Sequence, residues 1–333
     1  MSAKIVHGGG ITAAARIYGG QPQDWLDLST GINPNPVAIP ALPDAVWHRL
    51  PDQHLVERAR LAAQAYYRSG ACRPLPVPGT QSVIQLLPRL VTAGKRVAVL
   101  SPTYGEYARV FQLAGLAVDA IADLDAVTAA HGLVVVVNPN NPDGRLFSLE
   151  RLVALQRRLR RQDAWLVVDE AFGDGAPETS LAPQVADMVN LLVFRSFGKY
   201  FGLAGLRLGF LIADATLQDR FDDWLGPWAV SGPALALAGS LLAGDTAAIG
   251  ERIAGRSAAL RSVLASAGLT VAGGTDLFTL VADRRAGVIH DQLCRHHILV
   301  RKFDYAADWL RFGLPADSAA DLRLAGALDG FKP

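Results

Sequence analysis

A chain of 333 residues, half of them hydrophobic, is long enough to bury a sizeable core and to divide into two domains. Its 32 basic and 31 acidic residues leave a net charge of +1 with no long run of one sign. That balance argues against a nucleic-acid or membrane-surface partner, and it leaves room for a small charged metabolite.

The two cysteines, Cys72 and Cys294, fall in no CxxC or metal-spaced pattern. Reduced thiols in a cytoplasmic protein are therefore expected, with neither a disulfide framework nor a metal centre. The first ten residues contain no apolar stretch of the secretory kind. The longest apolar run, Leu133–Val137, is too short to cross a bilayer.

In chain order, residues 1–45 are rich in glycine and proline and are expected to form an N-terminal arm and crossing segment. Residues 46–230 read as a large domain. There the apolar runs Arg96–Leu100, Leu133–Asn138, Trp165–Asp169, Leu191–Arg195 and Gly209–Ala213 predict strands covered on both faces. Helical patterns at Val83–Val91, Gly105–Ala114 and Ser148–Arg161 alternate with them. Such alternation predicts an α/β domain whose central sheet is mostly parallel and sandwiched by helices. Residues 231–333 read as a small α+β domain. Its expected elements are a helix over Asp245–Gly268, strands near Leu277–Ala282, Ile298–Arg301 and Trp309–Phe312, and a last helix over Ala316–Leu328.

Six features of the large domain carry chemistry. Gly79-Thr80-Gln81-Ser82 opens a helical pattern, and backbone N–H groups at a helix start favour phosphate. Tyr104 is a candidate to stack on a flat ring, against the plainer reading of a half-buried tyrosine. Asn138–Gly144 is a turn that can present the Asn141 amide to a ligand. Asp169 ends an apolar strand, where open α/β sheets bind ligands, although aspartate is also common as a helix cap. Ser196-Phe-Gly-Lys199 follows another such strand and sets a lysine on a glycine-bearing loop. Arg207 lies in an apolar, glycine-rich stretch where a guanidinium calls for an anion such as phosphate. A lysine nucleophile, an acid for a ring nitrogen, an amide donor, an aromatic stacker and a phosphate cradle together match the needs of pyridoxal phosphate.

The segments Asn138–Gly144, Asp169–Phe172, Ser196–Lys199 and Ala204–Gly209 resemble, in order and spacing, those of the fold-type I pyridoxal 5'-phosphate enzymes of the aspartate aminotransferase superfamily. The likeness covers nearly the whole chain. Within that superfamily the chain looks like the histidinol-phosphate aminotransferases and, more closely, the threonine-phosphate decarboxylases of cobalamin biosynthesis. The features behind the closer likeness are the opening His7–Gly10, the loop Leu28–Pro34, Phe172 where the aminotransferases usually carry tyrosine, and the stretch Trp309–Pro315.

The resemblance implies a homodimer with Lys199 holding the cofactor as a Schiff base and Asp169 pairing with the pyridine nitrogen. It further implies Asn141 at the ring oxygen, Tyr104 on the ring, and Thr80, Gln81, Ser196 and Arg207 around the cofactor phosphate. Arg311 would take the substrate carboxylate and Arg301 with His7 its phosphate, with the Asn33 loop bordering the same pocket. The implied reaction is loss of carbon dioxide from L-threonine O-3-phosphate. A phospho-substrate aminotransferase is the alternative, and a cofactor-sensing regulator that binds DNA is the more distant one. Leu50 stands where relatives usually carry a tyrosine that reaches the partner subunit's cofactor phosphate, a contact that His54 is a candidate to replace.

Overall fold

The computed structural model describes Ile5 and residues 7–331. In chain order the strands are β1 (Leu26–Leu28), β2 (Leu75–Val77), β3 (Arg96–Leu100), β4 (Val118–Ile121), β5 (His131–Val137) and β6 (Trp165–Asp169). They continue with β7 (Leu191–Ser196), β8 (Gly209–Ile212), β9 (Val271–Thr275), β10 (Phe278–Ala282), β11 (Ile298–Phe303) and β12 (Ala306–Gly313). The chain forms two compact units.

Val37–Asn141 and Leu146–Thr246 make the larger unit. Its seven-stranded sheet runs in the order β2-β8-β7-β6-β5-β3-β4. β4, β3, β5, β6 and β7 are mutually parallel, whereas β8 lies antiparallel to both β7 and β2. The apolar runs of β5, β6 and β7 are buried almost throughout, because helices cover both sheet faces. One core cluster gathers Val137, Val167 and Phe194 from the sheet with Tyr107 and Phe111 from the helix Glu106–Leu113. The helix Leu149–Arg160 starts where its cap signal lies, with the Arg151 N–H donating to the Ser148 hydroxyl. The expected helix over Val83–Val91 is broken into Thr80–Ile84 and a 3-10 turn, Leu87–Leu90, because Pro88 cannot continue an α-helix.

The described residues up to Pro36, Pro142–Arg145 and the chain from Ala247 make the smaller unit. Its sheet runs β1-β11-β12-β10-β9, with β1 parallel to β11 and the other pairs antiparallel. These units do not follow the breaks expected at residues 45 and 230. β1 is a sheet strand of the smaller unit, paired with β11. Ala14 and Trp25 are buried with Cys294 in a small apolar cluster of that unit, so the opening segment supplies part of its core. At the other break, the helix Gly232–Leu241 packs on the helix Gln53–Tyr67 and stays with the larger unit. No helix among the described residues is long and apolar enough to cross a membrane.

A buried ion cluster ties the ends of β6 and β7 together, and no sequence motif announced it. Arg195 Nη1 and Nη2 each lie 2.9 Å from a carboxylate, Glu170 Oε2 and Asp174 Oδ1 respectively. Ser180 Oγ and the Leu181 N–H also donate to Glu170. The guanidinium lies 4.7 Å from the Tyr67 ring centroid. Removing only the cation strands two buried carboxylates, which costs ~3–5 kcal/mol. Arg195→Leu is therefore expected to lower thermal stability sharply, and adding Glu170→Gln and Asp174→Asn is expected to recover much of the loss. Melting temperatures of wild type, the single variant and the triple variant check this.

Candidate active site

Because β5, β6 and β7 are parallel, their C-terminal ends share one edge of the larger sheet. The chain leaves β5 into Asn138–Asn141, β6 into Glu170–Phe172 and β7 into the Lys199 turn, and these three exits meet around a cavity of about 170 Å³. That is where an open α/β sheet binds its ligand.

Asp169 lines the cavity and is only 4% exposed. Its Oδ1 accepts the Ala171 N–H at 2.9 Å, a local turn rather than a helix cap, and its Oδ2 accepts the Tyr107 phenol at 2.8 Å. Burial pushes its carboxyl above the usual carboxylate range. The Tyr107 and Ala171 hydrogen bonds oppose that shift, followed by the charges of Lys199 and Arg195.

Lys199 sits on a short helix, Phe197–Tyr200, rather than on the loop expected. Gly198 makes that turn fit, since a Cβ there would stand 2.7 Å from Ala204 Cα. Lys199 Nζ lies 5.5 Å from the centroid of the Phe172 ring, and both residues line the cavity. Where a tyrosine would offer a hydroxyl, Phe172 offers only carbon.

Gly79, Thr80, Ser196 and Arg207 form another wall of the cavity. Gly79 caps the helix Thr80–Ile84 at φ +72°, and a Cβ there would come within 2.6 Å of Arg207 Nη2. The turn and the guanidinium thus meet at a point that only glycine permits. Arg207 is exposed rather than buried: it stands in a left-handed turn and donates to the Ala204 carbonyl at 3.2 Å. Its surroundings in sequence are apolar, yet the side chain is exposed and lies on the cavity wall beside Gly79.

Gln81 and Tyr104 line the cavity and bond each other, the Tyr104 phenol donating to Gln81 Oε1 at 3.1 Å. Gln81 Nε2 in turn donates to the buried Glu106 at 3.4 Å. Burial is the main reason that the Tyr104 phenol is pushed up to about 12. Asn138 and Asn140 brace the neighbouring loop: Asn138 exchanges hydrogen bonds with the Phe147 backbone, and Asn140 bonds Pro102 O and Thr103 Oγ1. Asn141 is the asparagine that lines the cavity.

The four candidate substrate residues all belong to the smaller unit. Arg311 on β12 is 6% exposed; its Nη2 donates to Ser29 O at 2.9 Å, and its guanidinium lies 5.0 Å from the Phe278 ring centroid. Arg301 on β11 is its direct partner across the antiparallel ladder. Like charges so placed oppose each other. Burial, and next Arg301, push the Arg311 guanidinium down to about 10. The segment after His7 also reaches Ser29, where the Gly9 N–H donates to Ser29 Oγ at 2.7 Å. His7 itself is exposed. Asn33 is buried and accepts the Asn35 N–H in a local turn.

Tyr107 and Glu106 were not anticipated. The only signal available was their place at the start of a helix right after Tyr104, and apolar helix faces carry tyrosines for many reasons. One amine, one buried carboxylate, a flat aromatic wall and a guanidinium set against a glycine turn fit a phosphorylated pyridine aldehyde.

Residues 23–327 match the family described as aminotransferase class I and II. A threonine-phosphate decarboxylase of Sinorhizobium sp is 60% identical over 328 residues, covering 98% of each chain. A second, of Pseudomonas aeruginosa, is 45% identical over 332 residues, again 98% of each. Among solved structures, a histidinol-phosphate aminotransferase from Sinorhizobium meliloti in complex with pyridoxal-5'-phosphate superposes with a TM-score of 0.79. At 23% identity, covering 99% of this chain and 95% of that one, it bears on the fold alone. The chain belongs to the aminotransferase class I and II family, pyridoxal-phosphate enzymes of fold type I.

Proposed function

We propose that the protein removes carbon dioxide from L-threonine O-3-phosphate to give (R)-1-aminopropan-2-yl phosphate, in cobalamin biosynthesis. The observation that carries this reading is the full-length identity to two relatives named for that reaction. Phe172 in the cavity wall and the side-by-side Arg301 and Arg311 support it, since the substrate bears two anionic groups. The two free thiols, Cys72 and Cys294, suit a cytoplasmic enzyme.

Pyridoxal phosphate, when bound, supplies an electron sink conjugated with the substrate Cα. In the proposed assignment Lys199 Nζ holds the cofactor and afterwards delivers a proton to Cα. Asp169 accepts a hydrogen bond from the pyridine nitrogen, and Asn141 donates to the ring oxygen that Phe172 cannot serve. Tyr104 stacks on the ring. Thr80, Gln81, Ser196 and Arg207 hold the cofactor phosphate, with Gln81 acting through its backbone N–H because its amide is engaged by Tyr104 and Glu106. Arg311 takes the substrate carboxylate, and Arg301 with His7 takes the phosphate, beside the Asn33 loop. By orienting the substrate, these anchors would decide whether the carboxylate or the hydrogen at Cα is the group that leaves.

The protein is further proposed to act as a homodimer. In the larger unit, Trp47, Leu50 and Trp228 are each more than half exposed, at 63%, 64% and 60%. Trp228 and Pro51 line one hollow of about 410 Å³. Large apolar side chains left open in this way favour a partner surface. Leu50 offers such a partner no hydroxyl, and the nearby His54 is exposed.

Incubation with threonine phosphate alone is expected to release carbon dioxide. Formation of glutamate from histidinol phosphate and 2-oxoglutarate, with no carbon dioxide from threonine phosphate, would instead identify an aminotransferase. Lys199→Ala is expected to abolish the borohydride-reducible link to the cofactor. Gly79→Ala forces a Cβ onto Arg207 in a left-handed turn, so cofactor affinity is expected to fall at least roughly tenfold, about 1.4 kcal/mol. Fluorescence titration of the cofactor-free protein measures that. Light scattering of active enzyme is expected to give twice the chain mass.

A further inference from the structure

Tyr107 touches Asp169 yet belongs to none of the motifs above. It lies in the helix Glu106–Leu113, fully buried in the cluster that contains Val137, Val167 and Phe194. Its phenol donates to Asp169 Oδ2 at 2.8 Å, while the Ala171 N–H holds Oδ1 at 2.9 Å. Among the described residues, Tyr104 from the segment before that helix, Lys199 from the turn after β7 and Arg195 on β7 also act on this carboxyl, and the buried Glu170 follows it in the chain.

We propose that Tyr107 is a positioning residue whose hydroxyl holds Asp169 as an ionised acceptor and thereby keeps the pyridine nitrogen of the bound cofactor protonated. This rests on the reading that Asp169 faces that nitrogen. The phenol is embedded among apolar side chains, and burial holds its ionisation far above neutral pH. It therefore keeps its proton at neutral pH, and in the observed hydrogen bond it donates that proton to Asp169 Oδ2. A fixed donor favours carboxylate over carboxylic acid, whereas burial acting on Asp169 favours the acid. A single proton is thus contested between carboxyl and ring nitrogen, and the Tyr107 hydrogen bond tips it toward the nitrogen. A nitrogen that keeps its proton makes the ring a stronger electron acceptor. Tyr107→Phe deletes only the oxygen and leaves the buried ring in place.

The test loads wild type, Tyr107→Phe and Asp169→Asn with pyridoxal phosphate enriched in nitrogen-15 at the ring nitrogen. The nitrogen chemical shift is followed against pH, alongside kcat, KM and the melting temperature of each cofactor-free protein. In Tyr107→Phe the nitrogen is expected to lose its proton about one pH unit or more below wild type. The same variant is expected to lose roughly tenfold in kcat at neutral pH with KM little changed, and to melt within a few degrees of wild type. Asp169→Asn is expected to leave the nitrogen unprotonated throughout. If the nitrogen of Tyr107→Phe titrates as in wild type while Asp169→Asn shifts it, the proposal fails and the role of Asp169 stands. If neither variant moves it, the reading of Asp169 fails as well. Loss of activity and of melting temperature with an unmoved nitrogen would make Tyr107 merely structural and overturn the proposal. Tyr107→Met lacks the same hydroxyl and gives the same nitrogen readout should the phenylalanine variant not accumulate.

Discussion

Asp169 is a carboxylate carried into the protein interior by a strand that is otherwise wholly apolar, and much of the larger unit is arranged around that fact. Burial works against its charge, so the fold surrounds it with donors: a backbone N–H from its own turn and a phenol from a helix 62 residues earlier in the chain. The helix Glu106–Leu113 can deliver that phenol because β3 and β5 are adjacent and parallel, which sets the helix leaving β3 near the C-terminal ends of β5 and β6. The same register brings the Lys199 turn off β7 to the cavity that Asp169 lines.

A second buried charge cluster lies beside the first, formed by Glu170, the residue after Asp169, with Arg195 near the end of β7 and Asp174. Asp169 and Glu170 are neighbours that serve different ends. Asp169 lines the cavity, while Glu170 turns to Arg195 and Ser180. The two arginine–carboxylate pairs are almost wholly shielded from solvent, with side chains at most 3% exposed. They pin the exits of β6 and β7, so the carboxylate and the lysine sit on braced backbone rather than on free loops. The reacting groups of such a site need that rigidity, because small misplacements weaken orientation sharply.

In the smaller unit the organising feature is the pair Arg301 and Arg311, opposed on adjacent strands. Two cations at one ladder position oppose folding on their own account. A ligand with two negative groups, such as the proposed substrate, would offset that repulsion.

Much of the larger unit was legible from residues alone. The runs that became β3, β5, β6, β7 and β8 are short, apolar and separated by helical periodicity, and local composition is enough to specify such strands. The residues lining the cavity were legible for a related reason: Asp169, Asn141, Lys199 and Arg207 fall at strand ends or turns, where polar side chains in apolar company stand out. Other features are set by partners remote in sequence. β8 has the same apolar character as its neighbours, so its antiparallel direction follows from the path of the chain and not from its composition. β1 has three residues and becomes a strand only because β11 offers it an edge. Arg207 is exposed and stands in a left-handed turn, although its neighbours in sequence are apolar. The Tyr107–Asp169 hydrogen bond and the Arg195 cluster join groups separated by 62 and by 21 to 25 positions. Sequence by itself determined which chemical groups stand at the strand ends, because that depends on local pattern. Tertiary structure decided which of those groups are charged, braced or exposed, because burial and hydrogen bonding depend on which distant segments the fold brings against them.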